Sequence, residues 1–251
     1  MPENYSGREL PVNCSYHLTK KNMNEQNVPQ PPANLPEPAV SSLLQHGWET
    51  MKKNFPELLL VFFLQLLLSL PVSLSNVLRS DDFSFGMGFY GLFSVAYGII
   101  VLLPVSYGSS WVFLKAVRGE SFKVTDIFFA FQSFLNVIIS GLLVGLIICA
   151  GCVLLIVPGI IFACKLVFVP YLVLDEKMEA TEAIRKSWKM TKGFSWTIFW
   201  LAIVSFFIVI AGLICLVVGV IPAVIWIELA FAAIYWIVSV KDKSIPSVSQ
   251  Q

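Results

Sequence analysis

Charge is scarce in this chain. Of its 251 residues, 13% are Asp, Glu, Lys or Arg, roughly half the share of a soluble domain. Apolar and aromatic residues make up 57%, and the mean hydropathy is +0.76. That leaves too little polar surface to cover a water-soluble globule of this length, which excludes an ordinary soluble enzyme. Histidine is scarcer still, with His17 and His46 alone. No Ser/His/Asp set, Cys/His pair or metal-ligand cluster is visible, and no P-loop glycine motif occurs. No enzymatic activity, cofactor or metal is expected. The five cysteines are Cys14, Cys149, Cys152, Cys164 and Cys215, and four lie inside apolar runs. They read as small packing residues and not as a disulfide framework. A net charge of +1 provides no basic field for nucleic acid.

What is present is length in apolar runs. Residues 1–38 form a polar, proline-rich tail that cannot bury enough surface to offset its ordering, so it is expected to be disordered. It has no apolar h-region and does not read as a signal peptide. Such a tail can serve as a docking segment for a protein partner. Apolar blocks follow at 56–75, 89–114, 134–174, 194–218 and 221–240. A helix needs about 20 residues to cross the hydrocarbon layer. Four blocks fit one crossing each. The block 134–174 fits two, with Pro158 and Gly159 as the hinge between them. The stretch Gly219-Val220-Ile221-Pro222 reads as a similar turn before the last crossing. The membrane domain spans 39–240 with six crossings, and 241–251 forms a short tail.

The basic residues orient these crossings. With both termini cytoplasmic, 15 of the 17 Lys and Arg fall on the cytoplasmic side. Arg79 stands on the other side beside Asp81 and Asp82, and Lys165 lies within a span.

The cytoplasmic segments carry a second pattern. Ala180, Ala183, Ile184, Ser187, Trp188 and Thr191 recur at helical spacing, with Glu179, Glu182, Arg185, Lys186, Lys189 and Lys192 opposite. Glu182 and Lys186 are a favourable pair at i,i+4, and Gly193 is a natural stop. This predicts an amphipathic helix in the membrane interface, with Trp188 at headgroup level. Arg185, Lys186, Lys189 and Lys192 are its candidates for anionic lipid headgroups. The spacing returns in Leu44, Gly47, Trp48, Met51 and Phe55, and again in Val124, Ile127, Phe128, Phe131 and Leu135. The expectation is an all-α polytopic protein of three units, each an interfacial helix followed by a membrane hairpin.

A longer motif carries a resemblance. Val157-Pro158-Gly159-Ile160-Ile161-Phe162-Ala163-Cys164-Lys165 leads to Pro170-Tyr171-Leu172-Val173-Leu174-Asp175-Glu176. It continues with Glu182-Ala183-Ile184-Arg185-Lys186-Ser187-Trp188-Lys189-Met190-Thr191-Lys192-Gly193. This combination resembles the membrane domain of glycerophosphoryl diester phosphodiesterases and the related YciC-like bacterial membrane proteins. It covers about residues 105–240 well and 40–104 loosely. The resemblance implies a six-helix fold in the bacterial inner membrane. It does not imply hydrolysis, since only Lys241–Gln251 follows the last span here, where those enzymes carry a separate hydrolase domain.

Two charges remain inside the apolar blocks. Lys165 is ten residues from Asp175, and Glu228 is thirteen from Lys241. Along straight helices these are depths of about 15 and 20 Å. Lys165 and Glu228 are therefore expected to pair near the midplane, as a structural lock or as part of a polar pathway. Gln65 and Asn136 are the other polar groups nearby. Gly86-x-Gly88-x-x-Gly91 has dinucleotide spacing, but no strand precedes it, and its glycines read as helix-packing residues. The leading function is a non-enzymatic membrane protein that supports lipid or envelope processes through lipids or a protein partner. The alternative is a small-solute or lipid transporter built around Lys165 and Glu228.

Overall fold

The computed structural model describes residues 38–77, 84–154, 156–214 and 217–244, with the backbone alone for 75–77, 84–90, 156, 217–218 and 244. Among the described residues every regular element is helical. The chain divides into Pro36–Ser239, which holds the helical body, and a second unit of Met1–Leu35 with Val240–Gln251. Of that second unit only Val240–Ser244, the end of the last helix, is described. The predicted disorder of the tail, and the expectations for Cys14, His17, Arg79, Asp81, Asp82 and Cys215, lie outside the described residues.

Ten α-helices are described: α1 (Val40–Lys53), α2 (Phe55–Val77), α3 (Ser84–Tyr97), α4 (Leu103–Arg118), α5 (Phe134–Leu154), α6 (Ile156–Leu166), α7 (Val169–Asp175), α8 (Ala180–Met190), α9 (Ser195–Ile214) and α10 (Val217–Ser244). A π-helical turn, Gly98–Leu102, joins α3 to α4, and a 3-10 helix, Val124–Ser133, leads into α5. Six stretches are long and apolar enough to cross a membrane: Phe55–Leu74, Gly91–Arg118, Val124–Leu154, Val157–Asp175, Ser195–Ile214 and Gly219–Lys243. This is the architecture of an all-α polytopic membrane protein.

Burial separates a central helix from a lipid-facing ring. The last stretch is 61% buried and the fourth 50%, against 11–22% for the other four. On α10, Leu229, Ala230, Ala232, Ala233, Ile234 and Tyr235 are wholly buried. The alanines let neighbouring backbones approach closely, the usual basis of helix packing where lipid tails are as apolar as side chains. On α2 and α9, by contrast, Leu67, Leu74, Phe206, Phe207 and Ile214 point outward. In water that surface would be untenable.

The residues expected at the two hairpin turns lie inside described helices. Pro158 and Gly159 lie in the first described turn of α6, which begins at Ile156. Proline suits that position, because a first-turn amide has no helical partner to lose. Gly159 is there for proximity: a Cβ would meet Cys152 Sγ at 2.4 Å, and one on Gly151 would meet Gly159 Cα at 3.0 Å. Likewise Gly219 and Pro222 fall inside α10. The fourth crossing is itself broken at Val167–Phe168, where Pro170 opens α7. Irregular backbone at membrane depth is tolerated when protein covers it, and Leu166, Phe168 and Val169 are buried.

The juxtamembrane helices bury different stripes from those expected. α1 buries Leu43, Gly47, Thr50 and Met51, while Trp48 is 42% and Phe55 38% exposed. In the 3-10 helix the buried pair is Ile127 and Ala130. Side chains three apart eclipse in that geometry. Phe128, Phe131 and Phe134 therefore form an outer row in ring contact, not the inner face that a 3.6-residue period would make. α8 follows its pattern best: Ala180, Ala183, Ser187 and Met190 are buried, and Arg185, Lys189 and Lys192 are exposed. Gly91 has no heavy atom within 4 Å of an added Cβ, so the packing role expected for it does not hold.

Candidate functional site

The structure does not bring Lys165 and Glu228 together. The expected pairing assumed two straight helices. The break at Val167–Phe168 ends α6 at Leu166, so Lys165 sits in the last turn of a short helix. There a cation favours the helix C-terminus. Its backbone carbonyl accepts the Ser187 hydroxyl at 2.7 Å, which fixes α8 against the break. Its ammonium stands 5.9 Å from the Trp188 ring, and Trp188 also leans on Phe162. No carboxylate pairs with Lys165 among the described residues.

Lys165 instead faces a groove of about 290 Å³ between α6 and α9. Val157, Ile161, Trp196 and Phe199 give it apolar walls, and Ser195, whose hydroxyl donates to Thr191 O at 2.7 Å, also lines it. Trp196 is 69% exposed and Trp188 36%. Partly exposed tryptophans next to a lysine are the side-chain mix of a membrane–water boundary.

Glu228 faces a separate cleft of about 510 Å³ with Gln65 and Ser69 of α2, Ser106 of α4 and the π-helical turn. The sequence placed Gln65 near Glu228, and the structure brings them to one cleft. Asn136 has a different task. Its side-chain amide donates to Met178 O at 2.5 Å and its side-chain oxygen accepts from the Ala180 amide at 2.8 Å. It thus anchors the start of α8, just after Lys177, whose φ is +50°.

The basic face of α8 divides in two. Lys186 is bonded to Glu176 at 2.5 Å, whereas Arg185, Lys189 and Lys192 are exposed. Only these last three remain open to headgroups.

One cluster went unread in the sequence. Arg118, the last residue of α4, donates two hydrogen bonds to Asp175, the last residue of α7, at 2.7 and 2.6 Å. Tyr235 of α10 donates to the same carboxylate at 2.9 Å. Its ring stacks on Tyr171 at 4.8 Å and meets the edge of Phe168 at 5.6 Å. Each side chain alone looks like a loop charge or a core aromatic, and nothing in its spacing announces the others.

Six stretches long and apolar enough to cross a membrane define the class, an integral membrane protein. No family model matches the chain, and neither a curated protein nor a solved structure matches it.

Proposed function

We propose that this chain is a non-enzymatic integral membrane protein that supports lipid or envelope processes by holding an anionic lipid in the α6–α9 groove. The observation that carries this reading is Lys165, an ammonium with no carboxylate partner at the border of an apolar groove flanked by tryptophans. A phosphate headgroup complements the ammonium, and the acyl chain follows the apolar walls. Arg185, Lys189 and Lys192 add positive charge on the exposed face of α8. The concentration of Lys and Arg supports a bacterial inner-membrane protein with both termini cytoplasmic, where anionic lipid is at hand. The filled centre around α10 favours this reading over a transporter, which needs a polar route through the middle.

Native mass spectrometry of the purified chain, exchanged between phosphatidylglycerol and phosphatidylcholine, tests it. Wild type retains the anionic lipid preferentially. One near-surface lysine contributes about 1 kcal/mol, so Lys165→Gln weakens retention roughly fivefold. Equal retention of both lipids by wild type would defeat the proposal.

A further inference from the structure

The Glu228 cleft has a chemistry of its own. Among the described residues neither Glu228 nor Gln65 makes a side-chain hydrogen bond or ion pair. The Ser69 hydroxyl donates to Leu66 O at 2.7 Å, and the Ser106 hydroxyl to Leu103 O at 2.8 Å. Their protons are thus committed to their own helices. What the two serines turn toward the cleft is oxygen lone pairs, joined by the Glu228 carboxylate, while the Gln65 amide supplies an acceptor and two donors. Among the described residues no Lys, Arg or His lines the cleft. Its remaining walls are apolar, with Phe62 and Phe113 among them, and Leu66 on its rim is 46% exposed.

We infer that the cleft formed by Gln65, Ser69, Ser106 and Glu228 binds a primary ammonium carried on an apolar chain. Three arguments converge. An array rich in acceptors selects a ligand rich in N–H donors, and an alkylammonium carries three. An unpaired carboxylate at membrane depth is unfavourable, and an arriving cation relieves it. A volume of about 510 Å³ lies in the range of small-molecule sites. The π-helical turn on the cleft wall fits this assignment, because such turns recur at functional sites. The ammonium can come from a free amphiphilic amine or from a phosphatidylethanolamine headgroup. This site is distinct from the Lys165 groove and carries the opposite charge.

The test uses the full chain in phosphatidylcholine nanodiscs and measures binding of octylamine and octanol by calorimetry. A charge-assisted hydrogen bond favours octylamine over octanol by about tenfold or more. Glu228→Gln keeps the side chain's size and loses that preference, with Gln65→Leu showing a smaller loss. Lys165→Gln leaves it unchanged, which separates this inference from the lipid reading. Weaker apparent octylamine binding in nanodiscs containing phosphatidylethanolamine identifies the lipid headgroup as a natural occupant; unchanged binding there assigns the site to free amines. Equal binding of octylamine and octanol by wild type overturns the inference, and needs no variant to fold. So does a preference that survives in folded Glu228→Gln.

Discussion

At the scale of the residue, the glycines divide by what surrounds them. A Cβ on Gly108 would lie 1.8 Å from the Ile127 carbonyl oxygen, so the α4 backbone touches the 3-10 helix at that point. A Cβ on Gly145 would meet nothing within 4 Å. Both are helical glycines within membrane-crossing stretches, and neither spacing nor helix position tells them apart. Their alanine variants separate. Gly108→Ala must displace backbone, so a loss of about 3 kcal/mol or more is expected, at the upper end of overpacking. Gly145→Ala is expected to be neutral, or to stabilise by about 0.5–1 kcal/mol through helix propensity. Thermal unfolding of the purified variants in detergent reads both. A Gly108→Ala protein as stable as wild type would mean that the two elements do not touch there.

At the scale of the element, the apolar runs were legible because membrane helices announce themselves by length, and all six crossings were read from it. Their ends were not. Pro158, Gly159, Gly219 and Pro222, read as turn residues, fall inside α6 and α10, which start before them. Membrane helices absorb prolines, as α2 does Pro71 and α10 does Pro222, so a proline does not by itself mark where a helix ends. The stripe on α8 was legible because small residues on one side and charges on the other leave one solution. That on α1 was misread because Trp48, counted in the apolar stripe, is exposed and rests against Trp226 with Lys52 near its ring. The pairing of Lys165 with Glu228 failed for a related reason. Depth counted along a straight helix has no meaning across the break at Val167–Phe168.

The cluster at Asp175 belongs to this scale, because it ties the ends of α4 and α7 to α10. Its side chains are largely shielded, Arg118 being 16% and Asp175 9% exposed. Breaking one partner of such a pair strands the other charge, so Asp175→Asn should destabilise by about 3 kcal/mol or more. Arg118→Lys keeps the charge and loses the two-pronged geometry, and is expected to fall between that variant and wild type. Tyr235→Phe removes one hydrogen bond and should cost about 1 kcal/mol. Melting temperatures that rank in this order support a lock. If Asp175→Asn melts with wild type, the cluster holds nothing together.

At the scale of the whole molecule, everything rests on an even number of crossings. Five of the six stretches are plain in length. The fourth is the weak member, being two short helices, α6 and α7, joined at a buried break. Were it to enter and leave on one side, the chain would cross five times and the termini would part. The charge argues against this. Lys177, Arg185, Lys186, Lys189 and Lys192 follow the fourth stretch, and Lys115, Arg118 and Lys123 precede the third. An odd crossing between these two groups would put one of them on the outer side, against the bias that orients membrane helices. Cysteines introduced at Ser42 and Lys189 of a chain cleared of native cysteine should therefore react alike with a membrane-impermeant maleimide. Both should stay unlabelled in intact cells and label once the membrane is opened. Labelling at Lys189→Cys alone in intact cells would show that α6 and α7 do not cross. The Lys165 groove would then open toward the outer leaflet, and its lipid would have to be sought there.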